Sequence, residues 1–347
     1  MKVLRQTIKS ILVMLLIFLL IITTEIQTFS SPISRRTINV GVILFSLDNS
    51  IAAQFKKEFD NLQNEYPVKV SVLNPQNNVS VQDEMLDSLL KNNIDLIIAI
   101  PASTKEDAVR NFIERVRPYN TPLVMFNIPP DVVKNISKDY ARAAFAIPAS
   151  DKTGEMQGEI VRDLWNNKSI IDKNDDNILQ YVLVRGPKED VTADKRTQGV
   201  TSILESSGIK TELLQSFATN WTEAVAKSYI ENIFLTYGNK IEAIIANDDD
   251  LAVGAVKGLQ KYGYNTGSKS KYIPVFGLSG TPEAINLIDK GLMSGTIIVD
   301  LKKVAQDLYA IGNNLINNAN PTENTNLKSE GGVIIIGTNP RKYIIKK

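Results

Sequence analysis

The chain has 347 residues, enough at ~100–200 residues per domain for two domains with cores of their own. Apolar residues make up 43% and charged residues 22%, and 39 Lys and Arg against 38 Asp and Glu leave a net charge of +1, which gives no electrostatic footprint for nucleic acid or another polyanion. The sequence contains neither Cys nor His, so disulfides, thiolate chemistry, Cys/His zinc sites and every mechanism with an imidazole base are excluded.

Lys2, Arg5 and Lys9 precede an uninterrupted apolar run at residues 11–22. That is the length of a signal-peptide core and short of the ~20 residues of a spanning helix. Residues 1–36 are therefore expected to be an export signal, with Thr28, Ser30 and Ser31 near its cleavage point, or else an N-terminal membrane anchor. Without Cys there is no lipid-attachment site, so only this segment could tether the chain.

After Arg36 strands and helices alternate. Residues 40–45 (VGVILF) read as a buried strand, 52–65 as a helix, 68–73 as a strand and 81–92 as a helix. Further apolar runs follow at 96–100 (LIIAI), 123–126 (LVMF), 178–184 (ILQYVLV), 241–246 (IEAIIA) and 273–278 (IPVFGL), each separated by a helix-length segment. Strands buried on both faces with crossover helices predict α/β architecture with parallel sheets. The pattern restarts after residues 146–150, so two lobes are expected. Residues 317–326, rich in Asn, Pro and Thr, read as a surface loop.

Open parallel sheets bind ligands at the C-terminal ends of their strands. Asp48 and Asn49, Asn127, the segment 185–196, Asn247 to Asp249, and Ser279 all follow predicted strands, and would line one cleft if the lobes face each other by these edges. For any one of them a turn or cap is the ordinary reading. Asn247-Asp248-Asp249-Asp250 before Leu251 is a helix N-cap with first-turn acids, of which one is expected to cap and one to bind. Trp221 offers an apolar face with an N–H handle, whereas Trp165 sits at helical spacing and reads as packing.

The segment 172–180 (DKNDDNILQ) carries oxygen side chains at positions 1, 3, 5 and 9, with a residue tolerant of a left-handed turn at 6, as the first nine places of a calcium loop do. Position 12 is Leu183 in a strand, so a carboxylate must come from elsewhere. Glu242, which opens a strand, is expected at the same sheet edge.

The chain resembles the type 1 periplasmic sugar-binding proteins, nearest to their galactose/glucose-binding branch, from about Asn39 to its end. The likeness is densest at 210–215 (KTELLQ), Trp221, 239–254 (NKIEAIIANDDDLAVG), 273–284 (IPVFGLSGTPEA) and 291–296. It implies two Rossmann-like lobes joined by a three-strand hinge, with residues 37–147 and 299–333 in one lobe and 148–298 and 334–347 in the other. The crossings are then expected near 146–150, 298–300 and 331–334. It also implies one Ca²⁺ held by Asp172, Asn174, Asp176, the Ile178 carbonyl, Gln180 and Glu242. Asn127, Arg196 and Trp221 match the family's sugar-binding residues, and Asp248 stands where the family has an Asn. Elsewhere the pattern departs: Asn49 replaces an Asp, Ile51 a stacking Phe, Asp190 a His, and Thr192, Ser279 and Val299 replace Asp, Asp and Asn. Asn49, Asn127, Asp190, Arg196, Trp221 and Asp248 are thus the candidate ligand residues, and glucose and galactose are expected to bind weakly.

The resemblance implies an extracytoplasmic carbohydrate-binding subunit of an ABC importer that binds a hexose or pentose and docks on a membrane permease. A membrane-anchored sensor subunit that presents its open or closed form to a receptor or kinase is the alternative. A sugar-responsive repressor would need N-terminal DNA-reading helices, which are replaced here by the apolar run. An enzyme is not expected, since no nucleophile and base pair is found.

Overall fold

The computed structural model describes residues 5, 14, 15, 36–167 and 171–344. The expected export signal or anchor lies almost entirely outside the described residues, among which no helix is long and apolar enough to cross a membrane.

The first lobe begins with β1 (Ile38–Leu44), β2 (Val68–Leu73), β3 (Leu96–Ile100), β4 (Leu123–Phe126) and β5 (Ala143–Pro148). They alternate with α1 (Ser50–Glu65), α2 (Val79–Leu90), α3 (Glu106–Val116) and α4 (Pro130–Ile136). The continuous apolar run of β3 has a simple cause: Leu96, Ile98 and Ile100 face one core, and Ile97 and Ala99 face the other. α1 buries Ala52, Phe55, Phe59 and Leu62, spaced three and four apart, and Asn49 caps it by accepting the N–H groups of Ile51 and Ala52.

The second lobe holds β6 (Ile178–Arg185), β7 (Lys210–Ala218), β8 (Ala243–Ala246), β9 (Val275–Phe276) and β10 (Gly295–Ile298). Its helices are α5 (Ser150–Trp165), α6 (Val191–Ser206), α7 (Glu223–Tyr237), α8 (Asp249–Gln260) and α9 (Pro282–Asp289). The chain then returns to the first lobe through α10 (Leu301–Ile316), β11 (Lys328–Glu330) and β12 (Val333–Ile336), and ends in the second with β13 (Arg341–Ile344). The sheet orders are β11-β12-β5-β4-β3-β1-β2 and β13-β10-β9-β8-β6-β7. All pairings are parallel except those of β11 with β12 and of β13 with β10, so the sheets are mixed and not purely parallel as expected. Trp165 packs in the second lobe's core, as its spacing implied.

Three segments cross between the lobes, after β5, after β10 and after β12. The last differs from expectation. β12 pairs with β5 in the first sheet, with Val333 buried in one core and Ile334 and Ile336 in the other, so the boundary moves from 333/334 to residues 337–340. The crossings are tied together: Ala149 donates its N–H to the Ile336 carbonyl at 2.9 Å, and Asp300 to the Thr338 carbonyl at 2.9 Å. β7 went unread because it is an edge strand with alternating charge and no apolar run, exposed along most of its length.

Candidate functional site in the cleft between the lobes

The C-terminal ends of β1, β3 and β4 meet those of β6 and β8 across a cavity of about 310 Å³. Asn49, Asn127, Asp190, Arg196, Trp221 and Asp248 all line it, as do Ile51, Thr192 and Val299. Ser279 does not: it is buried away from the wall, its hydroxyl without a hydrogen-bond partner.

The four residues 247–250 do four different things. The Asn247 carbonyl accepts Arg196 Nη1–H at 2.7 Å, and its side chain joins Thr197 and the Gly186 N–H. Asp248 caps α8 through the Leu251 N–H at 2.9 Å and lines the cavity. Asp249 is fully buried, accepting the Thr281 N–H and the Thr296 hydroxyl at 2.6 Å each, and so fixes the loop before α9. Asp250 leaves its own lobe and accepts the Ser50 N–H at 2.8 Å and Asn49 Nδ2–H at 3.2 Å. Asp248 is thus the one cap expected among the four.

Arg196 sits in the first turns of α6, almost fully buried, with Nε free of any partner. Burial lowers its pKa, and the carboxylates of Asp248, Asp190 and Asp249 counter that shift. Burial and repulsion from Asp250 hold the Asp248 carboxyl well above the ordinary range, while Leu251 and Arg196 pull it down. Asp190, the N-cap of α6, is also raised by burial, and the Ala193 N–H, Arg196 and the Trp221 indole oppose this. The Trp221 ring lies flat against Gly186, where a Cβ would stand 2.1 Å from a ring carbon, so only glycine permits that approach.

The lobes also bond each other directly. Asn127 Nδ2 donates to Asp190 at 3.2 Å, and its Oδ1 accepts the Thr192 hydroxyl at 2.6 Å. Asn49 Nδ2 reaches the Trp221 carbonyl at 3.4 Å.

The sequence reading missed the apolar half of the wall, formed by Phe45, Phe55, Ile100, Phe126, Leu301 and Val304. The same strand-end rule would have found Phe45, Phe126 and the loop Pro101 to Lys105 had it been applied to apolar residues and to the end of β3.

At the opposite edge of the second sheet, the loop 172–180 enters β6 beside Glu242, which precedes β8. Glu242 accepts the N–H groups of Lys173 at 2.6 Å and Gln180 at 3.1 Å. Asn177 takes the left-handed turn (φ 60°), as does Asp175 (φ 59°). Among the described residues no three carboxylates gather tightly enough to hold a metal by themselves, so amide and carbonyl oxygens must complete any set. Two observations fit a hard cation there. Asp172 Oδ1 is buried with no hydrogen-bond partner. Burial raises the Glu242 carboxyl, two backbone N–H groups lower it, and repulsion from Asp172 and Asp176 raises it again. Asn174 and Gln180 now turn amide N–H groups toward Asp176, and a half-turn of each amide presents oxygen instead.

This chain is 28% identical over 302 residues to the D-galactose/methyl-galactoside binding periplasmic protein of Haemophilus influenzae, covering 86% of this chain and 87% of that one. Its fold matches an ABC transporter solute binding protein from Bacillus halodurans solved with myo-inositol, at a TM-score of 0.68 and 21% identity over 89% of this chain and 95% of that one. An Actinobacillus succinogenes periplasmic solute binding protein solved with D-allose matches at a TM-score of 0.70 and 16% identity, covering 89% and 98%. The family model of the periplasmic binding protein domain matches residues 40–320, and the chain belongs to that family.

Proposed function

We propose that this protein is the exported sugar-binding subunit of an ABC importer, which takes up a monosaccharide unit between its lobes and presents it to a membrane permease. As a member of a family of binding proteins it is not an enzyme. The observation that carries the reading is the cavity between the lobes, where both supply wall and a buried Arg196 with an unpartnered Nε stands beside Asp190 and Asp248. An arginine fork flanked by carboxylates suits vicinal hydroxyls, which both donate and accept. Trp221 adds a flat apolar face for sugar C–H groups. Ligand contacts from both lobes would favour the closed arrangement and rotate the lobes about the three crossings.

In the cavity wall, Ile51 stands in place of a stacking face and Val299 in place of an acceptor, so glucose and galactose are expected to bind weakly or not at all. The loop 172–180 with Glu242 is proposed to hold one Ca²⁺ through Asp172, Asn174, Asp176, the Ile178 carbonyl, Gln180 and Glu242. The ion would neutralise these carboxylates and pin the entry to β6, far from the cleft.

A thermal-shift panel of pentoses, hexoses and glycosides tests the reading, since a ligand at a hundred times its Kd adds about 2.7 kcal/mol of stability. A Trp221→Ala variant should lose the shift. No shift with any sugar or glycoside would overturn the proposal.

A further inference from the structure

The three crossings lie at one end of each sheet, beside β5, β12 and β10, and the strands at the far ends are β2 and β7. The cavity runs the whole way. Pro148, Val299 and Thr338 line it next to the crossings, while Asn77, in the loop after β2, and Asn220, just past β7, line its other end. From β5 to β2 is four strand spacings, about 19 Å at ~4.8 Å each. A six-membered sugar ring built of ~1.5 Å bonds spans roughly 7 Å with its hydroxyls, less than half of that.

Polar residues line this length at two depths. Asn49, Arg196 and Asp248 are buried and partly engaged: Asn49 caps α1 and reaches Asp250, Arg196 holds the Asn247 carbonyl, and Asp248 caps α8. Asn77, Lys105, Glu189 and Asn220 are exposed at the opening, with Ser103 and Thr104 half-buried beside Lys105. Among the described residues, the side chains of Asn77, Thr104, Lys105 and Glu189 have no hydrogen-bond or ion-pair partner.

The loop after β2 is folded so as to bring Asn77 to the wall. Asn74 Oδ1 accepts the N–H groups of Leu47 at 3.1 Å and Gln76 at 3.2 Å. Gln76 and Asn77 then take left-handed backbone (φ 52° and 59°), and the Asn77 N–H donates to the Phe45 carbonyl at 2.6 Å. Two such residues in succession are costly without glycine, although Asn tolerates the region better than most. Lys105 precedes α3 without capping it through its side chain, which is left for the cavity.

An amide, hydroxyls, an ammonium and a carboxylate offer donors and acceptors together, as sugar hydroxyls require. An apolar group at the opening would cover these side chains and return no hydrogen bond. Lys105 and Glu189 carry opposite charges on opposite lobes, and the cavity's carboxylates, Glu189, Asp190 and Asp248, outnumber Arg196 and Lys105. An anionic ligand is therefore disfavoured.

Resting on the sugar-binding reading above, we infer that the ligand carries two linked, uncharged sugar units. The inner unit meets Arg196, Asp190 and Asp248. The outer unit lies in a subsite at the opening, between Asn77, Thr104 and Lys105 of the first lobe and Glu189 and Asn220 of the second.

Calorimetry on the full chain tests this with maltose, cellobiose, lactose and melibiose against D-glucose and D-galactose. At least one disaccharide should bind more tightly than both of its component sugars by about tenfold or more. Asn77→Gly, which keeps the left-handed backbone, and Lys105→Met, which keeps the apolar stem, should each pull that ratio toward one by about threefold or more. Both positions are exposed, so both variants should fold. A ratio near one or below in the unmodified chain overturns the inference and leaves the sugar-binding reading standing. A large ratio that neither variant reduces removes the second unit from this subsite and also overturns it. No heat with any of the six sugars overturns the inference as well, and the thermal-shift panel then decides the sugar-binding reading separately.

Discussion

Asp250 Oδ2 of the second lobe accepts the backbone N–H of Ser50 in the first at 2.8 Å. Ser50 is the first residue of α1, so that N–H has no acceptor within its own helix, and the carboxylate stands at the positive end of the helix dipole. Asn49, which caps the same helix, adds its amide at 3.2 Å. These bonds join the two lobes directly at the start of α1.

Asp250→Ala removes a charge-assisted bond made only when the lobes are closed, a bond worth roughly 1.5–3 kcal/mol. The ligand-free variant should show a larger radius in small-angle scattering than the unmodified protein. Its apparent affinity for any ligand of the closed form should fall by about tenfold, since a smaller fraction is ready to bind. An unchanged radius and affinity would show that this bond does not hold the lobes together.

Gly186→Ala should displace Trp221 without touching the ligand. The added Cβ would lie 2.1 Å from the indole, and the ring must move. The chain has 2 Trp, and Trp165 is buried in the core, so a change in emission reports Trp221. The expected stability loss is about 1–3 kcal/mol, with weakened ligand binding. Unaltered emission and affinity would count against the placement of the ring.

Chelation should lower the melting temperature, and Glu242→Gln should do so even before chelator is added. If the free ion exceeds its Kd a hundredfold, the stability at stake is about 2.7 kcal/mol. A melting temperature insensitive to both changes removes the proposed ion.

Burial raises Asp249 from 3.8 to about 6, although the Thr296 hydroxyl and the Thr281 and Gly280 N–H groups oppose the rise. Because the folded pKa exceeds the unfolded one, the folded state binds more protons between these values. The stability from this group is therefore full below about pH 4 and is lost as pH rises through about 6. The component amounts to at most about 3 kcal/mol at 1.36 kcal/mol per pH unit. Asp249→Asn should flatten the melting temperature between these pH values; equal slopes in both proteins would assign the effect elsewhere.

The α/β class, most first-lobe elements and the two-lobed plan were legible in the sequence, because a strand buried on both faces must be apolar throughout. LIIAI at β3 and LVMF at β4 are such runs. The position of Glu242 beside the 172–180 loop followed from the same logic, since parallel neighbours β6 and β8 share one N-terminal edge. Local composition also placed a helix cap within residues 247–250, where Asp248 caps α8, while the capping of α1 by Asn49 and of α6 by Asp190 emerged from the structure.

Only the tertiary structure decided the rest. The late crossing at 337–340 depends on β12 finding β5, a partner nearly two hundred residues earlier, and nothing in VIII itself names that neighbour. Phe45, Phe55 and Phe126 read in sequence as ordinary core, and come to line a cavity only because the second lobe stands opposite them. The role of Asp250 was hidden for the same reason: a first-turn acid usually serves its own helix, and here closure of the lobes delivers it to another. Sequence periodicity records which face of an element is buried, but the partner across a cleft is set by how two separately folded lobes meet.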